Sequence, residues 1–577
     1  MRTIETDVLV VGAGPCGLTA SVALASLGVK AITLTRYTGP AHTPRAHITN
    51  IRTVEVFRDL KIENEVKTVA HSLSFLCHNV FGTSLAGREV ARYRSYGSPA
   101  DRLSDYAAAS PCKPINAPQH VMEPVLLAAA RQRGADVRFS TELTRIEQTP
   151  EAVLAHVRER KTGEEYTIRA RYAIGADGGR SLVAEQMGIR FEGEAGLRDM
   201  VNMWVEADLS KYTAYRPGVL YTMFQPGNDH WVGSGTWMCV RPWDDWIFVS
   251  PGTADTPEAE LLERARLTIG DPDVQIKVKN IVGWQVNHLF ATRYRVGRVF
   301  IAGDAAHRHP PAGGLGTNTS VQDSYNLAWK LAYVLSGKAG EGLLDSYHDE
   351  RQPVGQFVVE RAMKSLHNNA SIPEALGFKP GRSPEQGWAA LDELFSAAPG
   401  AAERRAELAA AVKLQNYRSN ALGVELGQHY ASRAIVGDGT PFPEPKRDPE
   451  LFYQPTTHPG AYLPHAWIEH QRQQVSTIDL AGDGRFSLFV GIGGERWAQA
   501  AAEVAAELGL ELDVRKVGVG CDYNDVLGDW TAMREVGDDG ALLVRPDRHI
   551  AWRAQDLPAS PATALRAALR QVLALEP

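Results

Sequence analysis

Six residues near the N-terminus, Gly12-Ala13-Gly14-Pro15-Cys16-Gly17, set three glycines at the spacing G-x-G-x-x-G. In that pattern the first glycine permits a tight turn, the second lets the backbone approach a pyrophosphate, and the third lets a helix pack closely on a strand. Exposed N–H groups and the dipole at the start of the next helix then favour phosphate charge. A β-branched run precedes the loop and an Ala/Leu pattern follows it, which favours a nucleotide site over a purely structural turn. An acidic residue about 20 positions on would ordinarily take ribose hydroxyls. Thr35 and Arg36 stand there instead. Arg36 either holds the adenosine phosphate or ribose edge, or is simply solvated.

Asp304, His307 and His309 form a second group of chemically capable residues. Imidazoles two residues apart in a Pro/Gly loop are compatible with a metal, yet no further strong ligand set accompanies them. A loop that shapes a pocket, with Pro311 beside it, is the preferred reading, and no metal is expected. The five cysteines (Cys16, Cys77, Cys112, Cys239, Cys521) are scattered and unpaired in sequence. They fit a reducing cytoplasm better than a disulfide framework.

The elements that must position these residues follow from periodicity. The chain has 577 residues, 44% hydrophobic and 22% charged, enough for about three to five globular domains. Lys+Arg 61 against Asp+Glu 68 leaves a net charge of −7, which argues against a nucleic-acid partner. No stretch reaches the roughly 18 apolar residues of a membrane span. The apolar run Asp7–Leu24 carries acidic Glu5 and Asp7 where a signal peptide is basic, so it reads as strand, turn and helix.

A βαβ unit opens the chain, and two later strands end in Gly-Asp motifs, RYAIGADGG (Arg171–Gly179) and RVFIAGDAAH (Arg298–His307). One nucleotide domain assembled from discontinuous pieces is expected. Between Met200 and Trp284, short strands such as HWVGSGTWMCV and WIFVS predict a mostly antiparallel sheet. Helical spacing covers Val321–Leu335 and Ser346–His367. A Pro/Gly-rich break from Ile372 to Pro384 precedes Ala-rich helices over Ala389–Lys413. A second break, Gly437–Pro449, leads to a C-terminal α/β segment with strands at RFSLFVGI, LDVRKVGV and GALLVRPDRHIAWRA, and helices at Arg496–Leu508 and Ala562–Leu575.

Three separated motifs, VVGAGPCGL, IGADGGRSLVAEQMG and VFIAGDAAHRHPPAGGLGTNTSVQDSYNLAWKL, together resemble the class A FAD-dependent aromatic hydroxylases, the p-hydroxybenzoate hydroxylase superfamily. PRAHITNIRTVEVFRDL (Pro44–Leu60), PTTHPGAYLPHAW and LLVRPDRHIAWRA are similar to its phenol-hydroxylase branch. The resemblance implies an α/β architecture with a Rossmann-like FAD domain (1–78, 112–190, 285–400) and an antiparallel-sheet substrate domain (79–111, 191–284). It also implies a helical linker (401–440) and a thioredoxin-like domain without CxxC (441–577).

Carried over to this chain, the resemblance implies FAD contacts at Gly12, Gly14, Pro15, Gly17, Thr35, Arg36, Arg45, Gln119 and Leu143. Asp304 would take ribityl or ribose hydroxyls, and Asp177 would act on FAD or NAD(P)H directly or indirectly. Pro311, Gly314, Leu315, Gly316, Thr317 and Asn318 would face the flavin ring, their N–H groups stabilising its reduced, negative form. NADH or NADPH would supply electrons, and O2 would form a C4a-hydroperoxyflavin that attacks an electron-rich ring. A small phenol is the implied substrate, hydroxylated ortho to its hydroxyl. A phenol of pKa near 10 is about one part in a thousand ionised at neutral pH, so a base is useful.

His47 is the candidate base and Arg241 the candidate cation, each weighed against ordinary core or surface roles. Trp237, Trp243, Trp246, Phe224 and Tyr221 either line a pocket or fill the core. A flavin-dependent halogenase is an alternative, since WDDWIF is superficially similar to its signature, though without the proline. A non-catalytic FAD-fold binding protein is the other. The C-terminal domain lacks a second thiol for redox exchange, so it is expected to be structural, at a subunit interface of a homodimer or homotetramer.

Overall fold

The computed structural model describes residues 2–227, 234–379 and 381–575. Val8, Leu9, Val10 and Val11 of the strand Thr3–Val11 are all buried, as a strand covered on both faces requires. This strand pairs in parallel with Ala31–Leu34 on one side and Glu165–Gly175 on the other. Val299–Ile301 extends the parallel sheet at one end and Asp136–Arg138 at the other. An antiparallel hairpin, Thr141–Gln148 with Val153–Glu159, is attached to Glu165–Gly175. Parallel strands bring their C-terminal ends to one edge. Gly12, Thr35, Asp177 and Gly303 all follow such ends, so motifs far apart in sequence share one rim.

Helix Pro15–Ser26, buried from Cys16 through Leu24, packs on the sheet beside Gly316–Leu335, which is buried along most of its length. The second sheet has eight strands in the order His307–Arg308, Lys277–Ala291, Phe191–Glu206, Asp245–Pro251, Gly235–Arg241, Gly218–Met223, His78–Gly82 and Glu89–Arg94. Its pairs are antiparallel except Gly218–Met223 with His78–Gly82, which is parallel. Residues 230–233, the start of the expected strand His230–Val240, lie outside the described residues. Val201, Met203 and Val205 alternate inward to meet Trp237, Trp246 and Tyr221. The indole N–H groups of these tryptophans find Thr268 Oγ1 and the Trp243 carbonyl, each at 3.0 Å.

The expected break at Ile372 is displaced. The helix that opens at Asp345 runs on to Leu376, ending at Gly377 with φ +84°. Ile372, Ala375 and Leu376 are buried against Phe224 and Leu391, and this packing offsets the backbone bond that Pro373, inside the helix, cannot donate. The Ala-rich stretch is two helices, Pro384–Leu394 and Ala401–Leu414, the first opened by a capping box at Ser383.

The C-terminal sheet runs Leu512–Lys516, Phe486–Val490, Ala541–Val544, Ile550–Ala554, flanked by helices Glu495–Leu508 and Pro561–Val572. Its last hairpin drives a charged turn into the nucleotide half. Arg545 donates to both oxygens of Glu350, at 2.6 and 2.8 Å, and to Asp547 Oδ1 at 2.9 Å. Lys330 Nζ reaches Glu350 at 2.7 Å. Two buried cations thus balance two buried carboxylates. Arg548 donates to Asp59 at 3.0 Å and to the Glu55 carbonyl at 3.1 Å. Arg545→Leu leaves Glu350 and Asp547 facing Lys330 alone, so a loss of about 3–5 kcal/mol is expected. A clear drop in the thermal unfolding midpoint supports this balance; an unchanged midpoint contradicts it.

Candidate active site

The three glycines of the first loop do different work. Gly12 has φ +112°, and a Cβ there would lie 2.1 Å from the Ala176 carbonyl oxygen; at Gly17 it would lie 1.9 Å from the Gly12 carbonyl oxygen. Both are required by the protein's own packing. At Gly14 the nearest atom to an added Cβ, Glu123 Oε1, is 3.9 Å away. Gly14 therefore faces open space at the N-cap of Pro15–Ser26, where a phosphate would approach.

Other groups of the rim point the same way. Asp304 projects from a short turn, Gly303–Ala305, and its carboxylate has no hydrogen-bond donor among the described residues. Removal from water pushes its pKa up, opposed by the charges of His307, Arg308 and Arg45. An acceptor in that condition suits ligand hydroxyls. The turn itself is held from behind: Asp323 accepts from the Gly303 N–H at 3.0 Å, meets His307 Nε2 at 2.9 Å and accepts from Arg351 at 2.8 Å. His309 Nδ1 sits 2.7 Å from the Pro310 carbonyl, and burial pushes this imidazole down to about 4. Among the described residues no three His, Cys, Asp or Glu side chains converge as a metal site needs.

Asp177 is already engaged. It accepts from Ser181 Oγ at 2.6 Å and from the Val183 N–H at 3.2 Å, bracing the start of helix Leu182–Gln186. Thr35 is buried, with its N–H on the Arg138 carbonyl at 3.0 Å, whereas Arg36 is exposed over the Tyr37 ring. Arg45 is exposed and its carbonyl accepts the Gln119 N–H at 2.9 Å. The Gln119 side chain donates to Glu123, a buried carboxylate whose other oxygen takes the Ala41 N–H. Sequence reasoning missed Glu123; its signal is the i, i+4 spacing after Gln119 on helix Gln119–Gln132. Leu143 is buried opposite Val157.

The opposite wall is the start of helix Gly316–Leu335. Its first backbone bond runs from Thr319 N–H to the Leu315 carbonyl at 2.9 Å. The N–H groups of Leu315, Gly316, Thr317 and Asn318 precede it and have no acceptor among the described residues. The Asn318 side chain does something else: it donates to the Ile48 and Gly314 carbonyls, the former at 2.9 Å, and accepts the Asn50 N–H at 2.9 Å. It staples the segment carrying His47 to this helix. Pro311 is exposed at the lip of the same turn.

His47 is half-buried. Its Nδ1 lies 2.9 Å from Asn116 Oδ1, and Asn116 Nδ2 donates to the Cys239 carbonyl at 3.2 Å. The second bond orients the amide, so Nδ1 carries the proton and Nε2 keeps its lone pair. Removal from water, with the Arg418 charge adding to it, pushes the imidazole down to about 4. Arg241 is exposed and its Nε donates to Asp244 at 2.9 Å. Trp237, Trp246, Tyr221 and Phe224 are fully buried core residues, while Trp243 is half-buried against Phe75.

A phosphate-sized opening at one helix start, a donor row at another and an unpartnered carboxylate between them fit a dinucleotide that bears a second, ring-shaped acceptor group. The family comparisons agree. Residues 5–362 match the FAD binding domain model, and residues 456–575 match the model of the aromatic-ring hydroxylase C-terminal region. The chain is 44% identical over 578 residues to 2,4-dichlorophenol 6-monooxygenase of Delftia acidovorans, covering 99% of each. It is 42% identical to phenol 2-monooxygenase of Pseudomonas sp. (strain EST1001), covering 98% of this chain and 92% of that one. The crystal structure of the flavin-dependent monooxygenase PieE with FAD and substrate superposes with a TM-score of 0.96 at 46% identity, covering 99% of this chain and 100% of that one.

The chain therefore belongs to the FAD-binding aromatic-ring hydroxylases. It is a flavin-dependent aromatic monooxygenase that uses FAD, with NAD(P)H as electron donor. Similarity over the full length to monooxygenases favours this over a halogenase or a non-catalytic binder. No described helix is long and apolar enough to cross a membrane.

The glycine geometry separates two kinds of damage. Gly12→Ala should destabilise the FAD-free protein, because the new Cβ overlaps the Ala176 carbonyl. Gly14→Ala should leave the FAD-free melting point unchanged and weaken FAD binding at least tenfold. Titration of FAD into both variants, beside thermal melts, checks this; a Gly14→Ala variant with native FAD affinity contradicts the assignment of that opening.

Proposed function

We propose that this monooxygenase inserts one oxygen atom into a phenol, ortho to its hydroxyl. Phenol, NAD(P)H, O2 and one proton give a catechol, NAD(P)+ and water. The reading is supported most directly by the orientation of His47, which leaves Nε2 as a hydrogen-bond acceptor on the segment stapled to the Gly316–Leu335 helix start. Bound FAD would supply the two-electron chemistry and the electrophilic oxygen. The remaining tasks fall to this chain's side chains and backbone.

The Gly12–Gly17 loop and the dipole of Pro15–Ser26 would hold the diphosphate. Asp304 would accept ribityl hydroxyls, and Arg45, which is near enough to act on both Asp304 and Glu123, would balance their charge. The free N–H groups of Leu315–Asn318 would face the flavin edge where negative charge gathers on reduction, a fixed set of donors that needs no reorganisation. His47 Nε2 would accept the phenol's hydrogen bond and set which ring carbon is presented. Arg241 would assist only after leaving Asp244. The five free cysteines suit a reducing, cytoplasmic compartment, and a homo-oligomer, a dimer or tetramer, is part of the same proposal.

The test is a panel of halogenated, alkylated and aryl-substituted phenols, scored for catechol against hydrogen peroxide with NADH and NADPH. The expected outcome is a yellow protein whose NAD(P)H oxidation is phenol-stimulated and coupled to catechol. His47→Ala should retain FAD and lower kcat/KM by about 100-fold. Peroxide alone with every phenol contradicts the reading, and unchanged turnover of His47→Ala at every pH removes His47 from it.

A further inference from the structure

Polar side chains on and against the second sheet mostly have partners. Asn116 holds His47 and the Cys239 carbonyl, and Asn202 accepts the Trp284 indole N–H at 2.8 Å. Asp245 accepts from Trp204 and Lys279, each at 2.7 Å. Asn79 differs. It is 3% exposed, and neither its Oδ1 nor its Nδ2 has a hydrogen-bond partner among the described residues. The Tyr93 hydroxyl is near enough for the amide to act on it, yet it lies 2.8 Å from Ser419 Oγ and bonds there instead. A carboxamide with both ends unmet is costly to bury, and asparagine is a poor strand former besides. Such a group calls for a partner that the chain itself does not supply.

Strand register fixes the face on which the amide stands. Asn79 is opposite Tyr93 on one side and Leu220 on the other. Leu220 is in turn opposite Met238, Met238 opposite Ile247, and Ile247 opposite Trp204. Residues paired in this way share one face of a sheet. Trp204 identifies that face, because its ring lies 5.8 Å from the His120 ring at the start of helix Gln119–Gln132, in the nucleotide half. The next positions along, Val80 and Tyr221, turn to the opposite face, where the Tyr221 ring lies 5.8 Å from that of Trp246. At its far end the row is covered by Ser419 of the short helix Asn416–Ser419.

The same row leads to His47. Cys239, the neighbour of Met238, gives its carbonyl to Asn116, which holds His47. Ile48 belongs to one apolar cluster with Leu220 and Tyr96, and Met238 packs against that cluster. With strands about 4.8 Å apart, Asn79 lies two strands, roughly 10 Å, from Met238. An arene with oxygen on opposite carbons and a hydrogen bond at each end has a comparable reach. Leu220 and Met238 offer it an apolar wall, and a sparse polar group beside such a wall is what fixes orientation in small-molecule sites.

We propose that the Asn79 amide binds a second polar group of the substrate, a hydroxyl or carbonyl on the side of the ring away from the hydroxyl at His47. The inference rests on the phenol reading given above and narrows its substrate class to phenols with a second, neutral hydrogen-bonding substituent. A carboxamide carries both donors and an acceptor without charge, so a hydroxyl satisfies it, whereas a methyl or a halogen leaves it unmet. A site built to bond a hydroxyl rejects the analogue that lacks it far more strongly than an apolar pocket rejects an added methyl.

The test uses methyl and hydroxyl members of equal size: 4-methylphenol against hydroquinone, and 3-methylphenol against resorcinol, with phenol as reference. FAD-loaded wild type, Asn79→Val and Asn79→Ala are compared by substrate dissociation constants, read from the flavin absorbance, and by kcat/KM for coupled hydroxylation. Wild type should favour the hydroxyl member of at least one pair about tenfold or more. Both variants should bring that ratio to within about threefold of unity, keep their affinity for phenol, and melt no lower than wild type without substrate. No preference in wild type, or a preference that survives in both variants, overturns the proposal. A lower melting point in both variants marks the amide as structural and overturns it too. Tighter binding of the hydroxyl members without hydroxylation of any phenol supports the amide contact and sinks the underlying reading instead.

Discussion

Two helices begin at the same rim, and their unspent N–H groups are the constraint on which the site depends. Pro15–Ser26 opens behind Gly14, and Gly316–Leu335 opens at Gly316. A helix start left without acceptors is unfavourable unless water or a ligand meets it. Two of them at one rim favour negative charge, and in the proposed reading phosphate would meet the first and reduced flavin the second. The side chains of Asn318 and Asp323 keep the arrangement from relaxing. Asn318 ties the second helix to the His47 segment, and Asp323 ties it to the Gly303 turn.

The C-terminal hairpin acts on the same two supports from the far side. Arg545 and Asp547 join Glu350, Lys330 and Asn326 in a buried, charge-balanced cluster, so the middle of Gly316–Leu335 cannot shift without separating charges. Arg548 grips the end of Ile51–Asp59, the helix whose start is capped by Asn50. A domain with a lone Cys521 and no paired thiol thereby bears on the geometry of a cleft it does not line. Buried pairs of this sort are a weak source of net stability, but removing one partner leaves a charge stranded in the interior.

Much of this was legible in the sequence because it rests on spacing. The glycine loop, the Gly303-Asp304 turn and the alternating second sheet each follow from local rules, and the parallel sheet then brings them to one rim. What was not legible depends on long-range packing. Helix Asp345–Leu376 overrides Pro373 because Ile372 and Leu376 find a core contributed by distant strands. Arg241 is the cation that the sequence offers; only the folded chain shows it exposed and neutralised by Asp244.

The central claim is that both helix starts serve one bound dinucleotide, with the phenol held beside His47. A crystal structure of the FAD-loaded protein with a phenol tests it most directly. The account predicts the diphosphate against Gly14, the ring edge against the Leu315–Asn318 N–H groups, and the phenol oxygen against His47 Nε2. A flavin whose phosphates or ring lie away from these two helix starts contradicts it.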